Sequence, residues 1–424
     1  MSDSAISQSY GSPRWTGEIT DCSLPVTLDT YSNCSFDCVY CFSQYQRGIG
    51  ASANDYFANK DVKCVNVERI KKIFDPNHKS SFQGYIKDKR PIQWGGLSDQ
   101  FDGFEKKYGK TLELLKFFKE KNYPISFSTK SAWVFHDDRY LELFENQDNW
   151  NMKFSIITLD EKAAAKIEKG VPTPQERLEA MKIYSQLNNG GATLRLRPFI
   201  LGMTDKTYED LIIAAHDNGA TALTTEFFCL ERRAVNIAKA HYDAISEVVG
   251  ADIVEFYARH SKGSGYLRLN RKIKEPYVKK MKELCDKLGM RFYVSDAHFK
   301  ECCSGSCCCG LPEEWEYSRG NFSYALQLCK KNGEVRFSDI KKHMDFYDDS
   351  FISINGLTDG KSEIKAKFVG MNMPEVLRYY WNNPNRGQSP YRMFGGVMQP
   401  MGKDGEGNIV YVYDQSRTFE PKGE

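Results

Sequence analysis

The chain lacks an apolar run long enough to span a bilayer, which takes about 20 consecutive apolar residues, and Met1–Tyr10 carries no charged-then-apolar leader. The expectation is a cytoplasmic protein with no membrane partner. Cysteine is too sparse for a disulfide scaffold, at 13 in 424 residues, yet plentiful for an intracellular metalloprotein. Charge of one sign is missing as well. The 58 Lys and Arg nearly balance the 56 Asp and Glu, leaving a net charge of +2, so local patches rather than bulk charge decide whether a polyanion binds. There is no low-complexity segment and no clear short repeat. What is present is ample material for a core, with 41% hydrophobic and 13% aromatic residues. The length predicts one large domain with an extension, or two domains. The division expected is a mobile N-terminal tail over 1–20, a main domain over 21–310 and a C-terminal substrate-binding or capping region over 311–424.

Short apolar strands alternate with amphipathic helices. Strands are expected at Leu24–Tyr31, Pro91–Gly96, Ile125–Thr129, Lys153–Thr158, Thr193–Ile200, Ala220–Phe227 and Arg291–Ser295. Between them, Leu112–Phe118, Tyr140–Phe144, Pro174–Leu187, Leu211–Ala215 and Tyr277–Leu288 show helical spacing. Repeated βα units predict a parallel sheet, and right-handed crossovers curl it into a barrel or an open partial barrel. In such α/β folds function gathers on the loops at the C-terminal ends of the strands. In the strand Thr193–Ile200 the alternation puts Arg195 and Arg197 on one face. Beyond about Leu311 the alternation stops, and a C-terminal α+β extension is expected.

The loop after the first strand reads Cys34-Ser-Phe-Asp-Cys38-Val-Tyr-Cys41, a CxxxCxxC followed by Phe42. Three thiolates in eight residues can hold three irons of a [4Fe–4S] cubane, leaving the fourth iron open to chelate a small molecule. Tetrahedral zinc would need a fourth ligand from elsewhere. This spacing, with an aromatic just before the last cysteine, resembles the radical S-adenosylmethionine (SAM) superfamily. Later segments resemble its spore photoproduct lyase-like branch: Gln93-Trp94-Gly95-Gly96-Leu97-Ser98-Asp99-Gln100, Ser128-Thr129-Lys130-Ser131, Phe154-Ser155-Ile156-Ile157-Thr158-Leu159-Asp160, Glu168 with Pro172-Thr173-Pro174-Gln175-Glu176-Arg177-Leu178, and Arg197-Pro198-Phe199-Ile200-Leu201-Gly202-Met203-Thr204-Asp205. The likeness runs from about Leu24 to Arg233, half the chain.

The resemblance implies a partial (β/α)6 TIM-type barrel whose lateral opening admits a large substrate. It also implies that Cys34, Cys38 and Cys41 bind the cluster, that the open iron takes the amino and carboxylate groups of SAM, and that reduction cleaves SAM to methionine and a 5′-deoxyadenosyl radical. An electron donor such as flavodoxin or ferredoxin follows from that chemistry. Ser98, Lys130 and Ser155 become SAM contacts, and Tyr40 lies near the adenine. Each segment also has its own physical reading. Gly95 and Gly96 let backbone approach a ligand closely, or form a plain turn. Ser98 and Asp99 offer partners to the methionyl amine or a ribose, or cap a helix. Lys130 ends an apolar strand, where its charge pairs with a carboxylate or is simply solvated. Arg197 inside an apolar strand needs an anion. SAM, a substrate phosphate and a structural pair with Glu226 all meet that need.

A second run, Cys302-Cys303-Ser-Gly-Ser-Cys307-Cys308-Cys309-Gly310, packs five cysteines into eight residues. Four readings stay open. One is a second Fe–S cluster completed by Cys329 or His298. Another is a thiol among Cys303, Cys307, Cys308 and Cys309 that gives a hydrogen atom to a substrate radical, as the resemblance implies. The others are a structural zinc site and a Gly/Ser turn with no specific role. The basic stretch Tyr257–Lys272, with Arg259, His260, Lys262, Tyr266, Arg268 and Arg271, suits phosphates and a stacked base, or is a solvated loop. The Tyr, Trp, Asn and Arg residues between Tyr379 and Phe394 suit base reading, or are the core of a small domain. Taken together the expectation is a radical SAM enzyme acting on nucleic acid, DNA favoured, by lesion reversal or base modification. The alternatives are a peptide- or metabolite-modifying radical SAM enzyme and a non-catalytic Fe–S or zinc nucleic-acid-binding protein.

Overall fold

The computed structural model describes residues 6–16, 20–43, 62–187, 191–261, 266–311, 321–341, 343–344, 368 and 370–420. Its centre is an eight-stranded sheet made of β1 (Arg14–Trp15), β2 (Val26–Leu28), β3 (Ile92–Trp94), β4 (Ile125–Thr129), β5 (Trp150–Ser155), β6 (Ala192–Phe199), β7 (Ala220–Phe227) and β8 (Arg291–Val294), hydrogen-bonded in that order. β1 runs antiparallel to β2, and every later neighbour is parallel. The order equals the chain order because each βα unit adds its strand beside the last, with the crossover always on one side. The edges β1 and β8 are not paired to each other. The result is an open partial barrel whose seven parallel strands correspond to the seven read from the sequence, one more than the family resemblance implies.

The strands alternate as a curled sheet requires. In β5, Trp150, Met152 and Phe154 are fully buried against the helical layer, while Asn151, Lys153 and Ser155 turn to the barrel interior. Hydrogen bonds knit that interior together. Asn151 Nδ2 donates to Ser126 Oγ at 3.2 Å, Thr193 Oγ1 to Asn151 Oδ1 at 3.1 Å, and Arg195 Nη1 to Ser155 Oγ at 3.2 Å. The barrel is thus lined by a polar column rather than filled by aliphatic layers. Outside it, α1 (Val67–Ile73), α2 (Lys110–Glu120), α3 (Asp138–Phe144), α4 (Pro174–Leu187), α5 (Tyr208–Asp217) and α6 (Arg271–Leu288) bury their apolar stripes. Leu114, Leu115 and Phe118 of α2 and Leu178, Met181 and Tyr184 of α4 supply the contacts. Along the outer face of β3–β5, Trp94 stacks on Phe127 and Phe127 meets Trp150 edge-on, with ring centroids 5.5 Å apart at each step.

Two expectations need correction. The strand placed at Lys153–Thr158 begins three residues earlier, because Trp150 is pinned by its indole N–H on Tyr123 O at 2.9 Å. The stretch read as a mobile tail is packed where it is described. Arg14 pairs with Asp29 at 2.7 Å, the amide of Asp29 donates to Ser12 Oγ at 3.0 Å, and Tyr10 N bonds Cys64 O. A buried carboxylate at Asp29 needs a cation, and the N-terminal segment brings it.

One hydrophobic core runs from Leu24 to Leu311 and a second from Phe322 to Tyr411. The second is built on α7 (Asn321–Asn332), α8 (Met373–Trp381) and an antiparallel sheet in which β9 (Glu334–Val335) and β10 (Met398–Lys403) flank β11 (Ile409–Tyr413). Trp381 is its keystone, with Nε1 on Ile409 O at 2.6 Å and its own carbonyl accepting from Tyr411 Oη at 2.7 Å. Much of the Tyr379–Phe394 segment is therefore core, as Val376, Leu377, Tyr380 and Trp381 are buried. Among the described residues no helix is long and apolar enough to cross a membrane.

Candidate active site

The cysteine loop leaves β2 at the C-terminal end of the parallel sheet. A two-stranded ladder holds it there: Asp37–Cys38 pairs antiparallel with Glu168–Lys169. Asp102 accepts from the Ser35 amide, and Ser35 Oγ in turn accepts from Gly103 N at 2.8 Å. Tyr40 is pinned from below. Its hydroxyl donates to Glu168, which pairs with Arg177 at 2.7 Å, and Arg177 Nη1 donates to Ser155 O at 2.6 Å. Glu168 and Arg177 are each 1% exposed, so the loop rests on a desolvated ion pair tied to the end of β5.

Cys34, Cys38 and Cys41 line one cavity of about 340 Å³ together with Tyr40, Gly95, Gly96, Ser98, Asp99, Lys130, Ser155 and Arg197. All eleven residues expected for cluster and cofactor thus meet in one place. Their side chains are not equally available. Ser98 Oγ donates to Tyr31 O at 2.7 Å. Asp99 accepts from Thr129 Oγ1 at 2.9 Å, Lys130 N at 2.6 Å and Phe101 N at 3.0 Å, which clamps the β3 loop to the end of β4. Burial raises the Asp99 carboxyl above its ordinary range, against those donors. Gly95 has φ of +87°, and a Cβ there would lie 2.2 Å from Gln100 Oε1 and 2.7 Å from Ser128 O. Only glycine fits that turn. Arg197 is paired with Glu226 and donates to Ser295 Oγ at 3.2 Å, so the ion-pair reading of this residue describes it. Lys130 Nζ lies 5.6 Å from the Tyr40 ring centroid, on the cavity wall.

Arg195 is the residue that single-strand reading placed without a role. Its guanidinium lines the cavity, bonds Ser155 Oγ, and faces no carboxylate within ion-pair distance among the described residues. Burial and the neighbouring Arg197 push it down to about 10. The period-two alternation carried the signal, since it set Arg195 beside Arg197. Cys229, Tyr266 and Arg268 also line the cavity, and no local pattern marked Cys229. Burial pushes its thiol up to about 12. The tip of the basic stretch, residues 262–265, lies outside the described residues.

The chemistry of the donor set suits a cluster-bound ligand. Burial raises Cys34 well above the thiol range and Cys38 to about 12, so neither ionises unaided. A metal that replaces their protons is what makes them thiolates. Among the described residues no three His, Cys, Asp or Glu side chains are close enough to share one ion. Thiolates on three corners of a cubane stand farther apart than that. Among the described residues the buried Ser43 Oγ on the cavity wall has no hydrogen-bond partner, and Arg195 stands ready for an anion. The residues therefore fit a [4Fe–4S] cluster with a polar, carboxylate-bearing ligand.

The second cysteine run is elsewhere. Cys303, Cys307, Cys308 and Cys309 do not line this cavity. They pass the opposite end of the barrel, where Gly310 abuts Thr193 and Thr224, and Asn151 reaches Cys309 O at 3.5 Å. The four thiols expected as hydrogen donors are thus not on the wall of the cavity that holds Cys34, Cys38 and Cys41. Cys329 is also apart, in the second core with Sγ on Tyr411 O at 3.5 Å. His298 sits over the C-terminal end of β8, its Nε2 3.5 Å from Lys274 Nζ.

No family model matches the chain, and no curated protein is similar to it by sequence. Its fold is that of spore photoproduct lyase. A cysteine-to-serine mutant of that protein superposes with a TM-score of 0.50 at 14% identity, over 68% of this chain and 80% of the other. Spore photoproduct lyase complexed with a dinucleoside spore photoproduct gives 0.49 at 16% identity, covering 64% and 76%. SuiB of Streptococcus suis bound to S-adenosylmethionine gives 0.41 at 12% identity, covering 66% and 52%.

Proposed function

We propose that this chain is a radical SAM enzyme that abstracts a hydrogen atom from a nucleic-acid substrate, in DNA lesion reversal or base modification. One observation carries the reading: the CxxxCxxC thiols share a single cavity with Lys130, Ser155 and Arg195, which has no ion-paired carboxylate among the described residues, at the functional end of a parallel partial barrel. When bound, a [4Fe–4S] cluster on Cys34, Cys38 and Cys41 supplies the electron that cleaves SAM to methionine and a 5′-deoxyadenosyl radical.

The chain's own residues bind and aim. Lys130 and Arg195 offer positive charge for a carboxylate. Gly95 brings backbone against the ligand, and the Tyr40–Glu168–Arg177 chain fixes the loop. At about 340 Å³ the cavity lies at the lower end of the roughly 300–1,000 Å³ of small-ligand sites. On the wall of the same cavity Arg268 lies 5.8 Å over the Tyr266 ring, a cation and an aromatic side by side. Phosphate and base are the matching chemistry, which favours a nucleotide over an apolar peptide. The fold likeness to spore photoproduct lyase points the same way.

The test is 5′-deoxyadenosine formation by anaerobically reconstituted, reduced protein given SAM and no substrate, intact DNA or UV-irradiated DNA. Stimulation by irradiated DNA alone is expected for lesion reversal, and by intact DNA for base modification. Cleavage indifferent to DNA overturns the nucleic-acid assignment. No cleavage with an intact cluster overturns the enzyme.

A further inference from the structure

The C-terminal region carries a group of cationic and aromatic side chains that the cavity does not use. Arg392 lies between two rings, its guanidinium carbon 5.6 Å from the Tyr391 centroid and 5.4 Å from that of Phe419. The two rings are themselves 5.1 Å apart. All three residues are half-buried, so part of each faces solvent. The Arg392 guanidinium makes no hydrogen bond or ion pair among the described residues. A stacked guanidinium keeps its charge and its donor edge, whereas one spent on a carboxylate offers neither to a ligand.

A double-glycine turn sets this group against the functional end of the barrel. Gly396 has φ of +92°, and a Cβ there would lie 2.6 Å from both Arg417 O and Phe419 Cδ1, so the Phe419 ring sits directly on the turn. Phe419 N donates to Gly395 O at 2.8 Å, and Gly396 N to Tyr391 O at 2.9 Å. On the other side, a Cβ on Gly395 would lie 3.4 Å from His298 Cβ. His298 follows the C-terminal end of β8, and its carbonyl accepts from Arg271 Nη1 at 3.4 Å. Arg271 opens α6 in the same segment as Arg268 of the cavity wall. Neighbouring residues thus lead from Tyr266 and Arg268 through Arg271 and His298 to Arg392. Arg271 is spent on Glu301 at 3.4 Å and anchors the line. At each end of it stands an arginine stacked on an aromatic ring, with no ion-paired carboxylate among the described residues.

We infer that this line is the track of a single nucleic-acid strand, with one nucleotide at the cavity and the flanking strand carried onto the second core. Arg392 takes a phosphate, and the rings of Tyr391 and Phe419 take a base. The inference rests on the nucleic-acid reading above and adds that the substrate extends beyond a dinucleotide. An acidic peptide would match the arginines and leave the rings without a stacking partner. A duplex keeps its bases stacked on each other, which is why a single strand fits the rings.

The experiment is fluorescence anisotropy on the full chain with two labelled probes, an oligothymidylate of about 12 nucleotides and thymidylyl-thymidine. Native protein should bind the longer probe more tightly. Arg392→Gln should weaken the oligomer about tenfold and lower its salt slope by about 0.7, the value of one single-strand phosphate contact, with the dinucleotide unchanged. Tyr391→Leu should weaken the oligomer about fivefold to a hundredfold, while Tyr391→Phe, which keeps the ring, should bind as the native protein does. Melting followed by circular dichroism identifies a variant that fails to fold; if Tyr391→Leu does, Arg392→Gln decides. Oligomer affinity unchanged in Arg392→Gln, both probes weakened alike, no preference for the longer probe, or oligoglutamate that displaces the oligomer overturns the inference. If the oligomer binds through Arg392 while DNA does not stimulate 5′-deoxyadenosine formation, the activity fails and this surface stands. Stimulation by DNA with the oligomer indifferent to Arg392 fails the surface alone.

Discussion

The two ends of the barrel are built from the same residue types and do different things with them. At the C-terminal end three thiols open onto a cavity of about 340 Å³, with Arg195 and Lys130 on its walls. At the N-terminal end Cys303 and Cys307 are buried, and Asp21, from the start of the chain, pairs with Lys300 beside them. Between the ends runs one polar column, in which Lys153 and Ser155 of β5 alternate with Thr193 and Arg195 of β6. The difference lies in access. A cation lining an open cavity is a recognition group, whereas one buried with a carboxylate is a counter-charge. The same alternation that buries aliphatics outside puts both inside.

The comparison breaks first at the cysteines. Cys38→Ala should lower 5′-deoxyadenosine formation by at least about a hundredfold, because the cluster supplies the chemistry. Cys309→Ala should leave SAM binding in place. If both variants lose SAM binding equally, the ends are not independent.

Next come the ion pairs that anchor each end. Glu168→Gln strands Arg177 in a desolvated site and should cost about 3–5 kcal/mol, read as a lower midpoint in urea. Asp21→Asn should cost less, since its side chain is 14% exposed and the Lys300 pair is partly solvated. The reverse order would show that the closed end is the more strongly held.

A sharper probe is Arg195→Leu, which removes the cation lacking a carboxylate partner and leaves Arg197 with Glu226. SAM affinity measured by calorimetry should fall about tenfold to a hundredfold, or about 1.4–2.8 kcal/mol. Since Arg195 sits near 10, binding by the native protein should also weaken as pH rises through that value and the charge is lost. Unchanged affinity would remove Arg195 from the site.

The smallest effect is on pH-dependent stability. Burial raises Cys38 at one end and Cys303 at the other to about 12 in the metal-free fold. A raised folded-state value means stability that is full below the unfolded thiol value, about 8.5, and is lost as pH climbs towards 12. Metal-free protein should therefore lose thermal stability above about pH 9, while protein with iron on Cys34, Cys38 and Cys41, where Cys38 is already deprotonated, should lose less. Equal slopes in melting scans with and without iron would show that these thiols do not respond to metal.

Much of the fold was legible because its signals are local. The strands Ile125–Thr129 and Ala220–Phe227 and the helix Pro174–Leu187 fall where apolar runs and helical spacing put them. Trp150 was harder, since its anchor on Tyr123 O depends on where β4 begins. The N-terminal stretch read as loose because its Ser, Gly and Pro content is that of a tail, while its hold on Asp29 is a tertiary contact. At the site, Ser98 and Asp99 were found by pattern, yet their engagement with Tyr31 and Thr129 required the folded loops.

The sequence by itself determined the spacing of Cys34, Cys38 and Cys41, the alternation that aligns Arg195 with Arg197, and the βα order that makes the sheet parallel. These are properties of neighbours a few residues apart, set by the strand period of two and the helix period of 3.6. Only the tertiary structure decided that Glu226 pairs directly with Arg197, that Glu168 holds Tyr40, and that Asp21 reaches Lys300. Those pairings join positions on different strands or at opposite ends of the chain. Sheet register and the cost of burying an unpaired charge select them, and neither quantity is written in any local stretch of sequence.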